Sequence, residues 1–424
     1  MGKVLLVSLE FPPSSVASVH RARHLAKYLP AFGWHPVVLM VDERLQKEAV
    51  DYPLAELVPE DLEILRIGAL PLSPLRRLGI GDISLRAYFH LRASLARLLA
   101  ERHFDVVFMT GPPYYQMMLT GWIKRRFHLP VVLDFQDPWV SHVGGLEPIW
   151  SKAGVTHGLA VLLEPRAVRA AAFITSVSDR QNEEMAARYP WLDGTRMAGI
   201  PIGGDPDDFR QLARAEGSQV SREVTVSFVG TVTPRALKVH EAVLQGLGQL
   251  RAEQPEVGSR LRLRFVGTSN QPDGKLHSIR DLAIGLGLAD VVREEPARVP
   301  FLEALRLMAN SDALLLIGSD EPHYTASKIY PALMAGRPFL SVFHALSSAH
   351  AILAHAGGGI ALSFKDPASL AALHKQITRA FAELVTKRGD LGVVDPKAYA
   401  SFTAAAVSER YAKIFDRVKA EGQV

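Results

Sequence analysis

Tyr324-Thr-Ala-Ser-Lys-Ile-Tyr-Pro-Ala-Leu-Met-Ala-Gly-Arg-Pro338 has the layout of an anion site that opens a helix and closes on a glycine. Thr325 and Ser327 are residue types that cap helix N-termini, where unpaired N–H groups and a partial positive charge attract an anion, and Lys328 adds a full charge. Gly336 suits the position just past a helix, and Pro338 starts the apolar run Phe339-Leu-Ser-Val-Phe343. Upstream, Asp312-Ala-Leu-Leu-Leu-Ile317 is the uninterrupted apolar run of a parallel strand buried on both faces, and Gly318-Ser-Asp-Glu-Pro-His323 is a polar loop. One residue strains the pattern. In a helix that began at Thr325, Pro331 would remove an interior hydrogen bond at a cost of about 3 kcal/mol, so a late start near Tyr330, or a kink, is expected.

The same alternation of strand and helix runs outward in both directions. After the unit above comes Gly359-Ile-Ala-Leu-Ser363; before it stand Val224-Thr-Val-Ser-Phe-Val-Gly230, Leu261-Arg-Leu-Arg-Phe-Val-Gly267 and Asp290-Val-Val-Arg293. Both Phe-Val-Gly endings put a glycine at a strand's C-terminal edge, where ligands approach open α/β sheets. An earlier series comprises Val4-Leu-Leu-Val-Ser8, His35-Pro-Val-Val-Leu-Met40, Glu63-Ile-Leu-Arg66, Asp105-Val-Val-Phe-Met109, Pro130-Val-Val-Leu-Asp134 and Phe173-Ile-Thr-Ser-Val177. Strands separated by helices imply parallel, doubly wound sheets. With 424 residues, too many for one typical domain, the reading is two Rossmann-like domains, 1–205 and 206–395, punctuated by Pro201-Ile-Gly-Gly-Asp-Pro-Asp-Asp-Phe209. Residues 396–424 form a closing helix with Phe402, Val407, Tyr411, Ile414, Phe415 and Val418 on one stripe.

Composition excludes several classes. There is no apolar run of the roughly 18 residues that a membrane span needs, and the chain starts directly on a strand without a signal-peptide layout, so a cytoplasmic location is expected. The absence of cysteine removes disulfides, thiolate metal sites and cysteine nucleophiles. A net charge of +4 is too small to argue for nucleic acid, but its placement is uneven: residues 73–126 hold nine Lys or Arg against three acids. Within them 85–102 is basic and amphipathic, with two readings: apolar side down on the first sheet, or, with the Arg76-Arg77 loop, peripheral contact of residues 73–102 with the inner face of an anionic membrane.

The segment from Ser327-Lys328 to Met334-Ala-Gly-Arg-Pro338 resembles the S-K-x-x-E-x-x-A-x-G-x-P motif of family 4 glycosyltransferases with the GT-B fold, where it holds the diphosphate of a nucleotide sugar. Four further stretches resemble landmarks of that family in the same order: Thr110-Gly-Pro-Pro113, Val132-Leu-Asp-Phe-Gln-Asp-Pro-Trp139, Ile174-Thr-Ser-Val-Ser178 and Gly203-Gly-Asp-Pro-Asp-Asp-Phe209. The resemblance implies two domains facing a cleft, the last helix returning to the first domain, donor on the second domain and acceptor on the first. It also implies transfer with retention, no metal, and no cofactor beyond the UDP- or GDP-linked sugar that is the substrate. Departures are clear. Pro331 stands where the family has a glutamate on the donor ribose, His323 stands where a partner glutamate is expected, and Ser14-Ser15-Val-Ala-Ser18 replaces a glycine pair after the first strand.

The candidate residues follow. On the donor side, Gly230, Thr231, Arg235 and Lys238 follow one strand, and Glu321, Tyr324, Thr325, Ser327 and Lys328 follow another. Arg235 and Lys238 fall one turn apart after Pro234, so they either clamp a diphosphate, whose charge grows as it leaves, or are two solvated helix charges. Glu321 is the nearest carboxylate to replace the missing ribose contact. On the acceptor side, Asp134 and Asp137 at a strand's C-terminal end are candidates to bind or deprotonate an acceptor hydroxyl, and Pro13, Ser14 and Ser15 form the sugar-facing loop. The expected activity is sugar transfer to a hydroxyl in surface polysaccharide, glycolipid or secondary-metabolite synthesis. A hydrolysing nucleotide-sugar epimerase and a non-catalytic nucleotide-sugar-binding protein of the same fold remain open alternatives.

Overall fold

The computed structural model describes residues 1–422 apart from 47–49, 73–80, 211, 213–222, 270–276, 322–326 and 388–389. The chain forms two units, Met1–Ile202 with Ala404–Val424, and Gly203–Thr403. Residues 396–403, which the sequence reading grouped with the closing helix, belong to the second unit. There Phe402 packs 5.3 Å from Tyr330, ring to ring, and its carbonyl accepts from Gly204 N–H at 3.0 Å.

The first unit is built on seven parallel strands: β1 (Gly2–Val7), β2 (Trp34–Val41), β3 (Glu63–Ile67), β4 (Val106–Gly111), β5 (Val131–Phe135), β6 (Phe173–Ser176) and β7 (Met197–Gly199), in the order β3-β2-β1-β4-β5-β6-β7. Near-continuous apolar runs such as Val-Val-Leu-Asp-Phe in β5 are wholly buried because helices cover both faces. The strand β7 is three residues with no apolar run, and it exists by pairing on β6 in register Ile174↔Met197. On one face lie α1 (Val19–Tyr28) and the terminal helix Ala404–Gly422, whose Val407, Tyr411, Phe415 and Val418 share a core with Ala22, Leu25 and Ala26. On the other face lie α2 (Ile83–Glu101), α3 (Thr120–Phe127), the short α4 (His142–Gly145) and α5 (Lys152–Ala170). Leu91, Leu95, Leu98 and Leu99 of α2 point into that core, as the first of the two readings of 85–102 expects, whereas Leu85 and Phe89 are exposed; Arg76 and Arg77 lie outside the described residues.

The second unit carries six parallel strands, β8 (Val224–Val229), β9 (Leu261–Val266), β10 (Val292–Glu295), β11 (Ala313–Ile317), β12 (Phe339–His344) and β13 (Gly359–Phe364), ordered β10-β9-β8-β11-β12-β13. Strand order reverses between β8 and β11, and the crevice outside the C-terminal ends at such a reversal is the favoured ligand site of open α/β sheets. Helix α6 (Leu237–Glu253) follows β8, and α7 (Ile329–Met334) follows β11. The start of α7 is late, as Pro331 requires: the proline is its third residue, where the N–H has no intrahelical partner to lose. Lys328, not Thr325 or Ser327, is the cap residue, with no side-chain cap; Thr325 itself lies outside the described residues. Gly336 follows the helix with φ +64°, the left-handed conformation that ends it. Among the described residues no helix is long and apolar enough to cross a membrane.

Candidate functional site

In the second unit the loop after β8 and the turn before α7 meet where the strand order reverses. Gly230 makes this possible. A Cβ built on it would lie 2.1 Å from Lys328 Nζ, so only a glycine lets the ammonium rest against the backbone at the end of β8. Although Lys328 is exposed as a residue, loss of water around its ammonium, with Arg298 nearby as a second cause, pushes its pKa down to about 8. Arg298 is a site residue that sequence reasoning missed. It sits in the loop after β10, and the only signal was a cation between Pro296 and Pro300 just past a strand's end. Thr231, half-buried, lines with Lys328 a cavity of about 30 Å³ among Phe228, Ile317, Ile329 and Phe343, room for one water molecule.

Arg235 and Glu321, expected on the diphosphate and the ribose, are brought together: Arg235 donates to Glu321 Oε1 at 2.9 Å and to Asp320 Oδ1 at 2.7 Å. The three side chains are 36–48% exposed, so the pairing is worth about 0–1 kcal/mol and a dianionic diphosphate can replace the carboxylates on Arg235. Lys238 is exposed in the first turn of α6. Ser327 contributes its carbonyl to Tyr330 N–H at 3.4 Å. Tyr324 and His323 lie outside the described residues. Lys328, Arg298, Arg235 and Lys238 thus give one sheet edge four cations around a strand reversal, an arrangement suited to holding a diphosphate and stabilising it as it departs.

The first unit separates its two acidic candidates. Asp134 is fully buried at the end of β5 and accepts from Arg21 Nε at 3.2 Å and from Thr110 Oγ1, Thr175 Oγ1 and Tyr411 OH at 2.8 Å each. Four donors on a carboxylate without solvent contact leave no approach for an acceptor, so the geometry gives Asp134 a tying role between α1, three strands and the terminal helix. Asp137 emerges past the strand. It is exposed, and partial withdrawal of its carboxyl from water raises its pKa. Tyr114 OH donates to the Asp137 carbonyl at 2.5 Å while its ring stacks on Trp139 with centroids 5.5 Å apart, which fixes the turn that presents Asp137. In the loop after β1, Pro13 and Ser14 are buried and Ser15 is half-buried, so of these three Ser15 is the residue that reaches the surface.

The Asp-x-Asp of the linker is not arranged as a metal site: Asp205 is buried and its carboxylate accepts from Asp207 N–H at 3.0 Å. Among the described residues no three His, Asp or Glu side chains converge to hold an ion.

Residues 18–203 match the model of a glycosyl transferase 4-like domain. No curated protein sequence matches the chain. Among solved structures, WaaG, a glycosyltransferase involved in lipopolysaccharide biosynthesis, is similar with a TM-score of 0.59 at 15% identity, over 97% of this chain and 99% of that one. HepE of Anabaena, solved with UDP-glucose, gives 0.58 at 15% identity over 98% and 99%. A UDP-forming α,α-trehalose-phosphate synthase from Burkholderia xenovorans gives 0.63 at 13% identity over 99% of both chains. Residues 18–203 thus form a glycosyl transferase 4-like domain, and the two-sheet architecture that runs through the whole chain is the GT-B fold of these similar structures.

Proposed function

We propose that the chain transfers a sugar from a nucleoside diphosphate sugar to an acceptor hydroxyl, with retention of anomeric configuration. The observation that carries this reading is the Lys328 ammonium held on Gly230 at the strand reversal of the second sheet, with Arg298 and Arg235 near the same edge. Loss of the donor's diphosphate builds negative charge, and cations fixed before the reaction stabilise it without having to reorganise, so charge neutralisation comes from the chain's own side chains rather than from a metal. The acceptor side is assigned to Asp137 and Ser15 of the first unit; the raised pKa of Asp137 suits it to accept a hydrogen bond from, or take the proton of, an incoming hydroxyl. UDP is the first nucleotide to test, since similar structures were solved with UDP-glucose and UDP-2-fluoro glucose. A surface polysaccharide, a glycolipid or a secondary metabolite is the proposed acceptor class.

The non-catalytic reading has one observation in its favour: Pro331 removes a side chain that could reach the ribose, and Glu321 is engaged by Arg235. A panel of UDP- and GDP-sugars followed by thermal shift and then by nucleoside diphosphate release separates the readings. The transfer reading expects one donor to raise the melting temperature and its diphosphate to be released only when an acceptor is added. Release without acceptor marks hydrolysis or epimerisation, and binding without release under any acceptor supports a binding protein.

A further inference from the structure

Of the four cations at the donor edge of the second sheet, one is already occupied. Among the described residues no carboxylate forms an ion pair with Lys328, Arg298 or Lys238, whereas Arg235 holds two: its Nε donates to Asp320 Oδ1 at 2.7 Å and its Nη1 to Glu321 Oε1 at 2.9 Å. Each acid gives one oxygen, so the guanidinium faces two neighbouring anionic groups, the charge pattern of a diphosphate. The backbone fixes both partners. Gly318 N–H donates to Val342 O at 2.9 Å, and a Cβ on Gly318 would lie 2.6 Å from Phe343 Cδ1, so the loop after β11 leaves its strand pinned against β12. Within that loop the buried Ser319 hydroxyl accepts from Glu321 N–H at 3.3 Å. On the other side, Pro234–Ala236 is a single tight turn, and the Arg235 carbonyl accepts from Asp320 N–H at 3.3 Å. The two loops bridge β8 and β11 at the strand reversal with their charges already aligned.

Ion pairs this exposed add little to stability. Their effect falls instead on a ligand that needs the same guanidinium. The carboxylates can swing into water at small cost, and a diphosphate offers Arg235 as much charge in one molecule. We infer that Asp320 and Glu321 are an internal stand-in for the donor's diphosphate: they hold Arg235 while the site is empty, a nucleoside diphosphate displaces them on binding, and they reclaim the guanidinium as the product leaves. The exchange sets a threshold. A ligand whose phosphates reach Arg235 must displace both carboxylates, so the pair lowers affinity for the diphosphate itself and shortens its stay. This rests on the reading of Arg235 as a diphosphate ligand, and it gives Glu321 a role opposite to the ribose contact expected from the sequence.

Calorimetric titration of the full chain with UDP, and with GDP in parallel, tests it. Asp320→Asn with Glu321→Gln keeps the shape of both side chains and removes their charge, and it should tighten the bound nucleotide about three- to tenfold, an advantage that shrinks at high salt. Both side chains face solvent, so an unchanged melting temperature is the control. Arg235→Ala supplies the deciding arm: it removes the group that is contested, so in its background the double substitution should no longer change affinity. A gain that persists without Arg235 is through-space charge alone and would overturn the exchange. Unchanged affinity in the double variant would overturn it as well, and so would weaker binding, which returns Glu321 to the ribose. Failure of UDP and GDP to bind the wild-type chain and every variant would instead remove the donor reading, and the exchange with it.

Discussion

Gly230→Ala separates the candidate donor site from the fold that carries it. The added Cβ would fall 2.1 Å from Lys328 Nζ, 2.7 Å from Cδ and 2.9 Å from Cε. Unbonded heavy atoms settle at roughly 3.5 Å, so the ammonium must retreat by more than about 1 Å. A lysine end can swing, so the core is spared, and the remaining cost is the backbone: φ is +154° at this position, a value that side-chain-bearing residues rarely adopt, at about 1–3 kcal/mol. Withdrawing the ammonium from a bound diphosphate forfeits a charge-assisted hydrogen bond worth about 1.5–3 kcal/mol, or roughly 10- to 150-fold in Kd. Titration calorimetry with UDP near neutral pH, beside a thermal melt, measures both parts. Lys328→Ala should weaken UDP by a similar factor, and the double variant by no more than either single, because both changes remove the same contact. Wild-type affinity in a folded Gly230→Ala protein, or losses that simply add in the double variant, would refute the reasoning.

Lys328 loses its proton near pH 8 when folded against 10.5 when unfolded, so the unfolded chain binds more protons between those values and this group's penalty on stability is relieved as pH rises through that window. A bound diphosphate restores the charge, so UDP binding around pH 8–9 should take up a proton, seen as a dependence of the binding heat on buffer ionisation; no such dependence, or one retained in Lys328→Ala, would contradict the assignment. Arg298→Ala should move that proton uptake to higher pH while weakening UDP, and an unmoved profile would separate Arg298 from the site. Asp134→Ala should destabilise the first unit by about 3–5 kcal/mol in denaturant melts because it strands Arg21 in the core, whereas Tyr411→Phe should cost about 1–3 kcal/mol. A normally stable Asp134→Ala protein that has lost only turnover would return Asp134 to the catalytic site. Asp137→Asn should leave UDP affinity unchanged and lower the transfer rate, most of all where the wild-type carboxylate is ionised.

What could be read from the sequence follows the range over which each physical rule acts. Parallel strands buried on both faces announce themselves as apolar runs, and the partly exposed β3, β10 and β13 stand out by their place between helices, so twelve of the thirteen strands among the described residues are legible; Met197-Ala-Gly199 is not, since its existence rests on pairing with β6. Pro331 constrains its own turn, and the late start of α7 could be deduced from sterics alone. The two acids after Leu133 were not separable in this way. Asp134 and Asp137 have the same chemistry and nearly the same place in the chain, and what divides them is Arg21, Thr175 and the hydroxyl of Tyr411, which arrive from remote parts of the sequence. The donor edge lies between these cases. Gly230 and Lys328 were each legible as a strand-end glycine and a pre-helix cation, but their contact exists only because β8 and β11 are neighbours at the strand reversal, and Arg298 joins them only because β10, two strands over, ends on the same side. That dependence has a consequence for the lysine: its lowered pKa is a property of three loops in register, so a change that shifts the loop after β10 while leaving Lys328 and Gly230 intact should still move the pH at which UDP binding takes up its proton.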